Sequence, residues 1–319
     1  MKAILARGYG LPAGLSCEDI PVPTPAAEEV LIRVRAAAIN PLDWRMQKGS
    51  PYFFRLLLGL RRPKDPRMGH DVAGVVEAVG SKVTRFQPGD AVFGACRGAF
   101  AEYACTTEPR LAAKPPNASF EQAAALPVAG VTALQGLRNN GGLRAGLRVL
   151  VNGAAGGVGT FAVQIARTFG AEVTGVCSAG NADMVRGIGA ADVIDYARED
   201  FTRGDRRYDL VLDTVGNHPL AALQRVLDPG GTAVLIGAHG VWDGVGRALA
   251  SPLRSRIGGR RVVSRMARIT QEDLATLGVM VEAGKIVPVI GRTYPLEQVA
   301  DALRQSEAGH VRGKVVVVP

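Results

Sequence analysis

The chain has 319 residues, 47% hydrophobic and 21% charged, a composition that excludes intrinsic disorder and a length that favours two domains over one. Its formal net charge of +9 comes from basic residues spread along the chain, with only a loose group at 254–261, so we expect no nucleic-acid partner. With no secretion signal and no uncharged stretch long enough for a bilayer, the sequence predicts a cytoplasmic protein without a membrane span.

Short β-rich runs, divided by Gly and Pro, occupy the first third of the chain. They fall at 30–34, 72–79 and 91–94, and the sequence Gln-Pro-Gly-Asp at 87–90 is a turn between two of them. This pattern predicts a small, irregular, barrel-like all-β unit.

From about residue 147 the pattern changes to alternating strands and helices. Strand-like apolar runs lie at 147–152, 171–177, 192–195, 208–213 and 232–236. Helical patterns run from the glycine-rich turn to Gly170 and recur at 182–187 and 220–227. Such alternation is typical of a doubly wound nucleotide-binding domain. The last segment predicts helices at 272–282 and 296–306, an extended run at 286–290 and a final strand at 314–318.

The most informative motif is the glycine-rich turn between the first strand and the first helix of that domain. Its residues expected to contact a cofactor are Gly153, Ala155, Gly156, Gly157, Val158 and Gly159. Small residues allow the backbone to approach a pyrophosphate, and the helix N-terminus supplies amide donors. Ala154 stands where the strict G-x-G-x-x-G pattern has its first glycine, but the strand–turn–helix context supports a dinucleotide site. A tight turn without a ligand is the alternative.

The end of the second strand of this domain carries no carboxylate. NAD-selective proteins place Asp or Glu there to bind the ribose hydroxyls, whereas Glu172 lies at the other end of the strand. Ser178, Asn181 and Tyr196 are candidates for hydrogen bonds to the 2′-phosphate of NADP(H), and the alternative for Tyr196 is a strand-end tyrosine with no special role. No arginine or lysine stands in this loop, so we expect NADP(H) to be preferred by a modest margin.

Six short stretches together resemble one known family. They lie at 38–44 (AINPLDW), 69–74 (GHDVAG), 130–133 (GVTA), 153–159, 193–196 (VIDY) and 309–314 (GHVRGK), in an order similar to that of the zinc-independent quinone oxidoreductase branch of the medium-chain dehydrogenase/reductase superfamily. The resemblance implies an α/β protein in which a Rossmann doubly wound parallel sheet is inserted in a GroES-like, mainly β catalytic domain. Residues 1–122 and 261–319 would form the catalytic domain, and residues 123–260 the NADP-binding domain.

Alcohol dehydrogenases of that superfamily bind catalytic zinc, and this sequence departs from their ligand set. The resemblance places Asn40 where they have a cysteine ligand and His70, followed by Asp71, where they have a histidine ligand. A third ligand is not evident, and no two of the four cysteines have C-x-x-C spacing. We therefore expect no metal, and a structural or pocket-side role for His70.

The resemblance also implies roles around a bound nicotinamide. Asn40 is expected to orient the ring or a substrate carbonyl and Asp43 to anchor its loop, and the alternative for Asn40 is a turn former before Pro41. Thr132 is expected to contact the nicotinamide amide or ribose, or else to cap a helix that starts there. Further cofactor contacts are assigned to Gly237, Arg312 and Lys314.

The segment at 51–58 (PYFFRLLL) is apolar enough to form a lid over a substrate pocket. Trp44 and Tyr52 are the residues assigned to that pocket. A packed loop or an oligomer contact is the alternative.

These assignments predict an NADPH-dependent oxidoreductase that reduces quinones or α,β-unsaturated carbonyl compounds by hydride transfer without zinc. Since the cofactor brings the hydride chemistry, the protein needs to supply orientation and a dry pocket rather than a nucleophile and base. Two alternatives stay open: an enoyl reductase of fatty-acid or polyketide metabolism, and a low-turnover NADPH-binding sensor or scaffold. The expected partner is a small-molecule quinone or enone, with a homodimer as the candidate assembly.

Overall fold

The computed structural model describes residues 1–10, 14–49, 55–56, 59–237, 259–309 and 311–319. These residues form two compact units, one of Met1–Val131 with Ile269–Pro319 and the other of Thr132–Arg268. The sequence places domain boundaries after residues 122 and 260, whereas the compact units change after Val131 and Arg268. The first change comes later because the short helix Phe120–Ala124 packs on the sheet of the first unit.

The described strands follow one another along both units. In chain order they are β1 (Lys2–Ala6), β2 (Leu15–Asp19), β3 (Glu29–Ala38), β4 (Asp71–Val79), β5 (Ala91–Ala95), β6 (Tyr103–Thr107), β7 (Leu111–Ala113), β8 (Arg148–Asn152), β9 (Glu172–Cys177), β10 (Asp192–Asp195), β11 (Tyr208–Asp213), β12 (Leu227–Leu235), β13 (Arg261–Ser264), β14 (Ile290–Pro295) and β15 (Lys314–Val318). The α-helices are α1 (Pro41–Lys48), α2 (Phe120–Ala124), α3 (Pro127–Gln135), α4 (Gly157–Thr168), α5 (Ala182–Gly187), α6 (Leu220–Arg225), α7 (Gln271–Glu282) and α8 (Val299–Glu307). None of the helices in the described part of the chain is both long and apolar enough to cross a membrane.

In the first unit, strands from both ends of the chain share one sheet. As far as the chain is described, this sheet has seven strands in the order β14-β15-β3-β4-β5-β7 with β6 on β3, beside a separate β1-β2 pair. Strands β4 and β15 both run antiparallel to β3, so Ala38 at the end of β3 pairs with Val316 of β15 and with Asp71 of β4. The residues that follow β3 therefore lie next to the first residues of β4 and β15, although these come from distant parts of the sequence.

In the second unit, the described strands form a six-stranded parallel sheet in the order β10-β9-β8-β11-β12-β13. The chain passes from β8 outward to β9 and β10, and then returns to the opposite side of β8 with β11. Ligands of doubly wound sheets bind at such a reversal, beyond the carboxyl ends of the strands. The residues after β8 therefore occupy the position expected of a nucleotide site.

Helix α4 shows why the sequence pattern predicts a helix at this point. Phe161 and Ile165 are fully buried on its inner face, and Gly170, with a φ of +77°, ends it in the left-handed conformation that favours glycine. Its C-terminal end is thus set by a residue without a Cβ, and its inner face by packing on β8 and β9.

The last segment differs from the sequence-based prediction. The run expected to be extended at 286–290 is not a strand. The strand of this segment instead begins at Ile290 and continues to Pro295. Pro288 has no N–H to contribute to a ladder, which explains the delay. The helix expected from residue 296 starts as a 3₁₀ turn, Leu296–Gln298, before α8.

Candidate cofactor-binding and catalytic sites

The turn after β8 is shaped by two glycines. Gly153 has a φ of +83°, and its N–H donates to the carbonyl of Val176 at the end of β9. A Cβ on Gly159 would lie 2.0 Å from the Gly153 carbonyl oxygen, so only glycine lets the first turn of α4 pack on the preceding loop. Two positions of the predicted motif are therefore required by the fold itself.

Gly156 differs from these two glycines because the described residues leave the space beside it largely open. Among the residues that the structure describes, a Cβ there would contact only the Gly153 carbonyl oxygen, at 3.4 Å. Gly156 is the N-cap of α4, so this free space lies at the N-terminus of a 12-residue helix. Backbone N–H groups at such an end carry partial positive charge and bind phosphates. The geometry fits the pyrophosphate of a dinucleotide.

A buried polar network supports this turn from below, and sequence reasoning missed it. The side-chain amide of Asn152 donates to Asp213 Oδ1 at 2.9 Å and to Asn217 Oδ1 at 3.0 Å. The bond between Asn152 and Asp213 joins the carboxyl ends of β8 and β11. Asp213 Oδ1 also accepts the N–H of Gly216 at 2.9 Å, which fixes the loop after β11. The sequence signal was two polar residues, Asn152 and Asp213, each ending an apolar strand.

The candidates for the 2′-phosphate lie together at the ends of β9 and β10. These strands are paired so that Asp195 is opposite Cys177, and the N–H of Tyr196 donates to the Cys177 carbonyl at 3.2 Å. Asn181 Nδ2 donates to Ser178 Oγ at 3.1 Å, and the Tyr196 side chain is exposed. Glu172 begins β9 and is thus at the opposite end.

The other candidates for cofactor contacts in the second unit differ in burial and in the element that carries them. Gly237 follows β12, where a Cβ would lie 2.3 Å from the carbonyl oxygen of Thr214. In the glycine turn, Ala155 is buried, whereas Val158 is half-buried. Thr132 lies inside α3, which begins at Pro127, so the alternative interpretation that Thr132 caps a helix start is wrong.

The first unit contains a buried polar cluster around Lys314. The Lys314 ammonium donates to Asn40 Oδ1 at 2.7 Å, to the Ile39 carbonyl at 3.0 Å and to Asp71 Oδ2 at 3.2 Å. Asn40 Nδ2 donates to the same Asp71 oxygen at 2.9 Å. Asn40, Asp71 and Lys314 are all at most 3% exposed. Burial raises the pKa of the Asp71 carboxyl, and the charge of Lys314 opposes that rise.

This cluster changes how two of the predicted residues are understood. The three N–H donors of Lys314 are directed at the three acceptors of the cluster, which leaves none for a cofactor phosphate. The Asn40 amide is likewise hydrogen-bonded within the first unit, and Asn40 is the N-cap of α1 rather than part of a simple turn. Both residues position the start of α1 against β4 and β15.

Asp43 links the cluster to His70. Its Oδ2 accepts the backbone N–H of Asn40 at 2.8 Å, and its Oδ1 lies 2.6 Å from Nδ1 of His70. Burial lowers the pKa of His70, but the hydrogen bond and charge of Asp43, with the charge of Asp71, outweigh burial and leave the pKa above its ordinary value. His70 also lines a small cavity of about 30 Å³.

The remaining candidate residues concern a metal site, the substrate pocket and one further cofactor contact. Within the ranges that the structure describes, no group of three or more His, Cys, Asp or Glu side chains is arranged to hold a metal ion. Trp44 packs against the first-unit core, with the Arg45 guanidinium 5.1 Å from its ring centre. Arg312 is exposed. Tyr52 lies outside the described residues, as does most of the segment at 51–58.

Comparisons with known proteins agree with this architecture. Residues 26–116 match the family described as "Alcohol dehydrogenase GroES-like domain", and residues 188–317 match that described as "Zinc-binding dehydrogenase". The chain is 34% identical over 335 residues to the chloroplast envelope quinone oxidoreductase homolog of Arabidopsis thaliana, covering 100% of this chain and 98% of that protein. It is 35% identical to 2-methylene-furan-3-one reductase of Solanum lycopersicum, with 100% and 79% covered.

Solved structures give the same result. The quinone oxidoreductase from Coxiella burnetii superposes with a TM-score of 0.89 at 31% identity, covering 100% of this chain and 99% of that one. The Escherichia coli quinone oxidoreductase complexed with NADPH superposes with a TM-score of 0.84 at 26% identity, covering 100% of both chains. The chain therefore belongs to the quinone oxidoreductase-like branch of the medium-chain dehydrogenase/reductase superfamily and is an NAD(P)H oxidoreductase of that type.

Proposed function

We propose that this protein is an NADPH-dependent reductase of quinones or α,β-unsaturated carbonyl compounds that works without zinc. The observation that carries the proposal is the open space beside Gly156 at the N-terminus of α4. A second feature, the absence of a carboxylate at the end of the neighbouring strand β9, adds the choice between the two dinucleotides. The first feature favours a dinucleotide, and the second favours one with a 2′-phosphate.

The residues of the second unit would hold the cofactor. The N-terminal amides of α4 bind the pyrophosphate, and Gly153 and Gly159 keep the turn close enough for that contact. Ser178, Asn181 and Tyr196, at the ends of β9 and β10, would bind the 2′-phosphate. NADPH, when bound, supplies the hydride for the reduction. The Escherichia coli quinone oxidoreductase, which has a similar fold, forms a complex with NADPH, and this supports the choice of cofactor.

The proposal that zinc takes no part rests on the cluster in the first unit. Asn40 stands where the alcohol dehydrogenases have a cysteine ligand, and an amide is a far poorer zinc ligand than a thiolate. The Lys314 ammonium already supplies a positive charge between Asn40 and Asp71. A second cation beside it would be repelled.

The proposed substrates follow from the relatives' names and from the chemistry of hydride transfer, which needs no nucleophile or catalytic base from the protein. The name of the Arabidopsis thaliana relative refers to quinones, and that of the Solanum lycopersicum relative refers to 2-methylene-furan-3-one. Both are conjugated carbonyl compounds that accept a hydride at an electron-poor carbon. Asn40 and Asp43 remain the residues predicted to orient the reacting groups, directly or through the start of α1.

Steady-state oxidation of NADPH tests the proposal. Benzoquinone, cyclohexenone and crotonyl-CoA would be offered in parallel, with zinc measured by elemental analysis in the same preparation. We expect turnover with the quinone or the enone, unchanged by chelators. Turnover with crotonyl-CoA alone would indicate an enoyl reductase. Tight NADPH binding without turnover of any of the three would indicate a sensor or scaffold, and one tightly held zinc per chain would contradict the zinc-free mechanism.

Two expectations about the setting of the protein stay predictions. They are a cytoplasmic location and a homodimer. Relatives are named as chloroplast and mitochondrial proteins, so location has to be tested by fractionation of the source cell. Light scattering of the purified protein tests the dimer.

A further inference from the structure

The proposed 2′-phosphate site has polar groups but lacks a cation in the loop after β9. Ser178 and Asn181 are neutral, and they are hydrogen-bonded to each other. A phosphate dianion is held far better when a guanidinium or ammonium group faces it. A cation for this site therefore has to come from a neighbouring element.

Strand β10 brings such a residue to the same edge of the sheet. Its register, with Asp195 opposite Cys177, aligns the carboxyl ends of β9 and β10. The chain after β10 then turns back at once, because the N–H of Arg198 donates to the Asp195 carbonyl at 3.0 Å. Arg198 therefore stays at this end of the sheet, two residues after Tyr196.

The side chain of Arg198 is available to a ligand. It is 86% exposed, and its Nε lies 3.7 Å from Asp195 Oδ2, which is longer than a charge-assisted hydrogen bond. Asp195 is engaged elsewhere, since its Oδ1 accepts the N–H of Ala197 at 3.1 Å. The Asp195 carboxylate would repel a phosphate at this edge. A cation is therefore needed there both to bind the phosphate and to offset the charge of Asp195.

We propose that Arg198 supplies the positive charge that binds the 2′-phosphate of NADP(H) and sets the preference of this protein for NADP(H) over NAD(H). The inference rests on the proposed function, because it assigns a residue to the same cofactor site. The guanidinium offsets the Asp195 carboxylate and donates to the phosphate oxygens, while Ser178 and Asn181 add neutral hydrogen bonds. Selectivity thus comes from the strand next to the one that usually carries it.

The test compares Arg198→Gln with a matched control, Arg203→Gln. Arg203 is 84% exposed, and its Nε lies 3.2 Å from a carboxylate three residues earlier, Asp200, whereas the Nε of Arg198 lies 3.7 Å from Asp195. Calorimetry would measure the binding of adenosine 2′,5′-bisphosphate and adenosine 5′-monophosphate, which differ only in the 2′-phosphate. We expect Arg198→Gln to weaken bisphosphate binding by about tenfold or more. Its monophosphate affinity, and both affinities of Arg203→Gln, should stay within about twofold of the wild type.

Other outcomes would overturn the inference. Unchanged bisphosphate binding in Arg198→Gln would show that Arg198 does not reach the phosphate, and equal losses for both nucleotides would show a structural effect. If the wild type reduces quinones with NADPH and Arg198→Gln binds the bisphosphate normally, only the role of Arg198 is refuted and the proposed function stands. A wild type that shows the expected nucleotide selectivity but no turnover refutes only the proposed activity. A wild type that binds neither nucleotide refutes both.

Discussion

The glycine turn after β8 and the buried cluster around Lys314 differ in how they are assembled and in whether they leave space for a ligand. The turn is local: seven consecutive residues, 153–159, define its shape, and the space that matters is one that the protein leaves open beside Gly156. The cluster is assembled from residues far apart in the chain, since Asp71 and Lys314 are separated by 243 positions, and its volume is filled by its own hydrogen bonds. A local motif can thus be recognised from sequence, whereas the cluster depends on β3, β4 and β15 meeting in one sheet.

The largest effect is expected at the turn. Gly156→Val places a branched side chain in the open space, so affinity for NADPH should fall by about 100-fold or more. Since no atom of the described ranges lies closer than 3.4 Å to the new Cβ, the melting temperature should change little. Gly159→Val is the contrasting variant, because its Cβ would meet a backbone oxygen at 2.0 Å and the fold itself should suffer. Calorimetric titration and thermal melts distinguish the two; normal affinity in Gly156→Val would make the turn purely structural.

In the cluster the main effect should be on stability. Lys314→Met leaves the Asp71 carboxylate buried without its cation, which is expected to cost about 3–5 kcal/mol in the free energy of unfolding. Adding Asp71→Asn to Lys314→Met removes the uncompensated charge and should recover part of that loss. Urea unfolding of both variants gives the values. A loss below about 1 kcal/mol for Lys314→Met would show that the pair is solvated.

Asn40 is the residue at which the cluster and catalysis are predicted to meet. Asn40→Ala should lower turnover by about 10- to 100-fold, which corresponds to about 1.4–2.7 kcal/mol, while NADPH affinity changes only a few-fold. A residue that only caps α1 predicts lower thermal stability with normal turnover per folded molecule. Both quantities have to be measured on one preparation. Normal turnover would remove Asn40 from the catalytic residues.

The smallest effect concerns pH. The pKa of His70 is raised in the folded protein by Asp43 and Asp71, despite burial and the opposing charge of Arg97. The stabilising charge of the Asp43–His70 pair is therefore fully present below the unfolded pKa of about 6.5 and is lost as pH rises through the folded pKa. The difference in unfolding free energy between wild type and His70→Gln should be larger at about pH 5 than at about pH 8. A difference that does not vary with pH would show that His70 stays neutral.

Local patterns predict much of this fold. Strands β10, β11 and β15 and helix α5 lie where their apolar runs and periodicity predict them, and the glycines place the start and end of α4. Helix α1 is not among the predicted elements, because the residues around Pro41 also suit a turn, although proline is equally suited to the first position of a helix.

Long-range features are harder to predict. The loop after β9 contains no cation of its own, and only the register between β9 and β10 brings Arg198 to the same end of the sheet. The hydrogen bonds of Lys314 escape sequence reasoning for the same physical reason, since no spacing in the sequence indicates that β15 pairs with β3.

A titration of the wild-type protein with NADPH and with NADH, followed by cofactor fluorescence, tests the central claim most directly. We expect NADPH to bind more tightly by at least about tenfold, or about 1.4 kcal/mol, because β9 ends without a carboxylate and the exposed Arg198 is proposed to bind the 2′-phosphate. Equal or tighter binding of NADH would contradict the assignment of this site to NADPH.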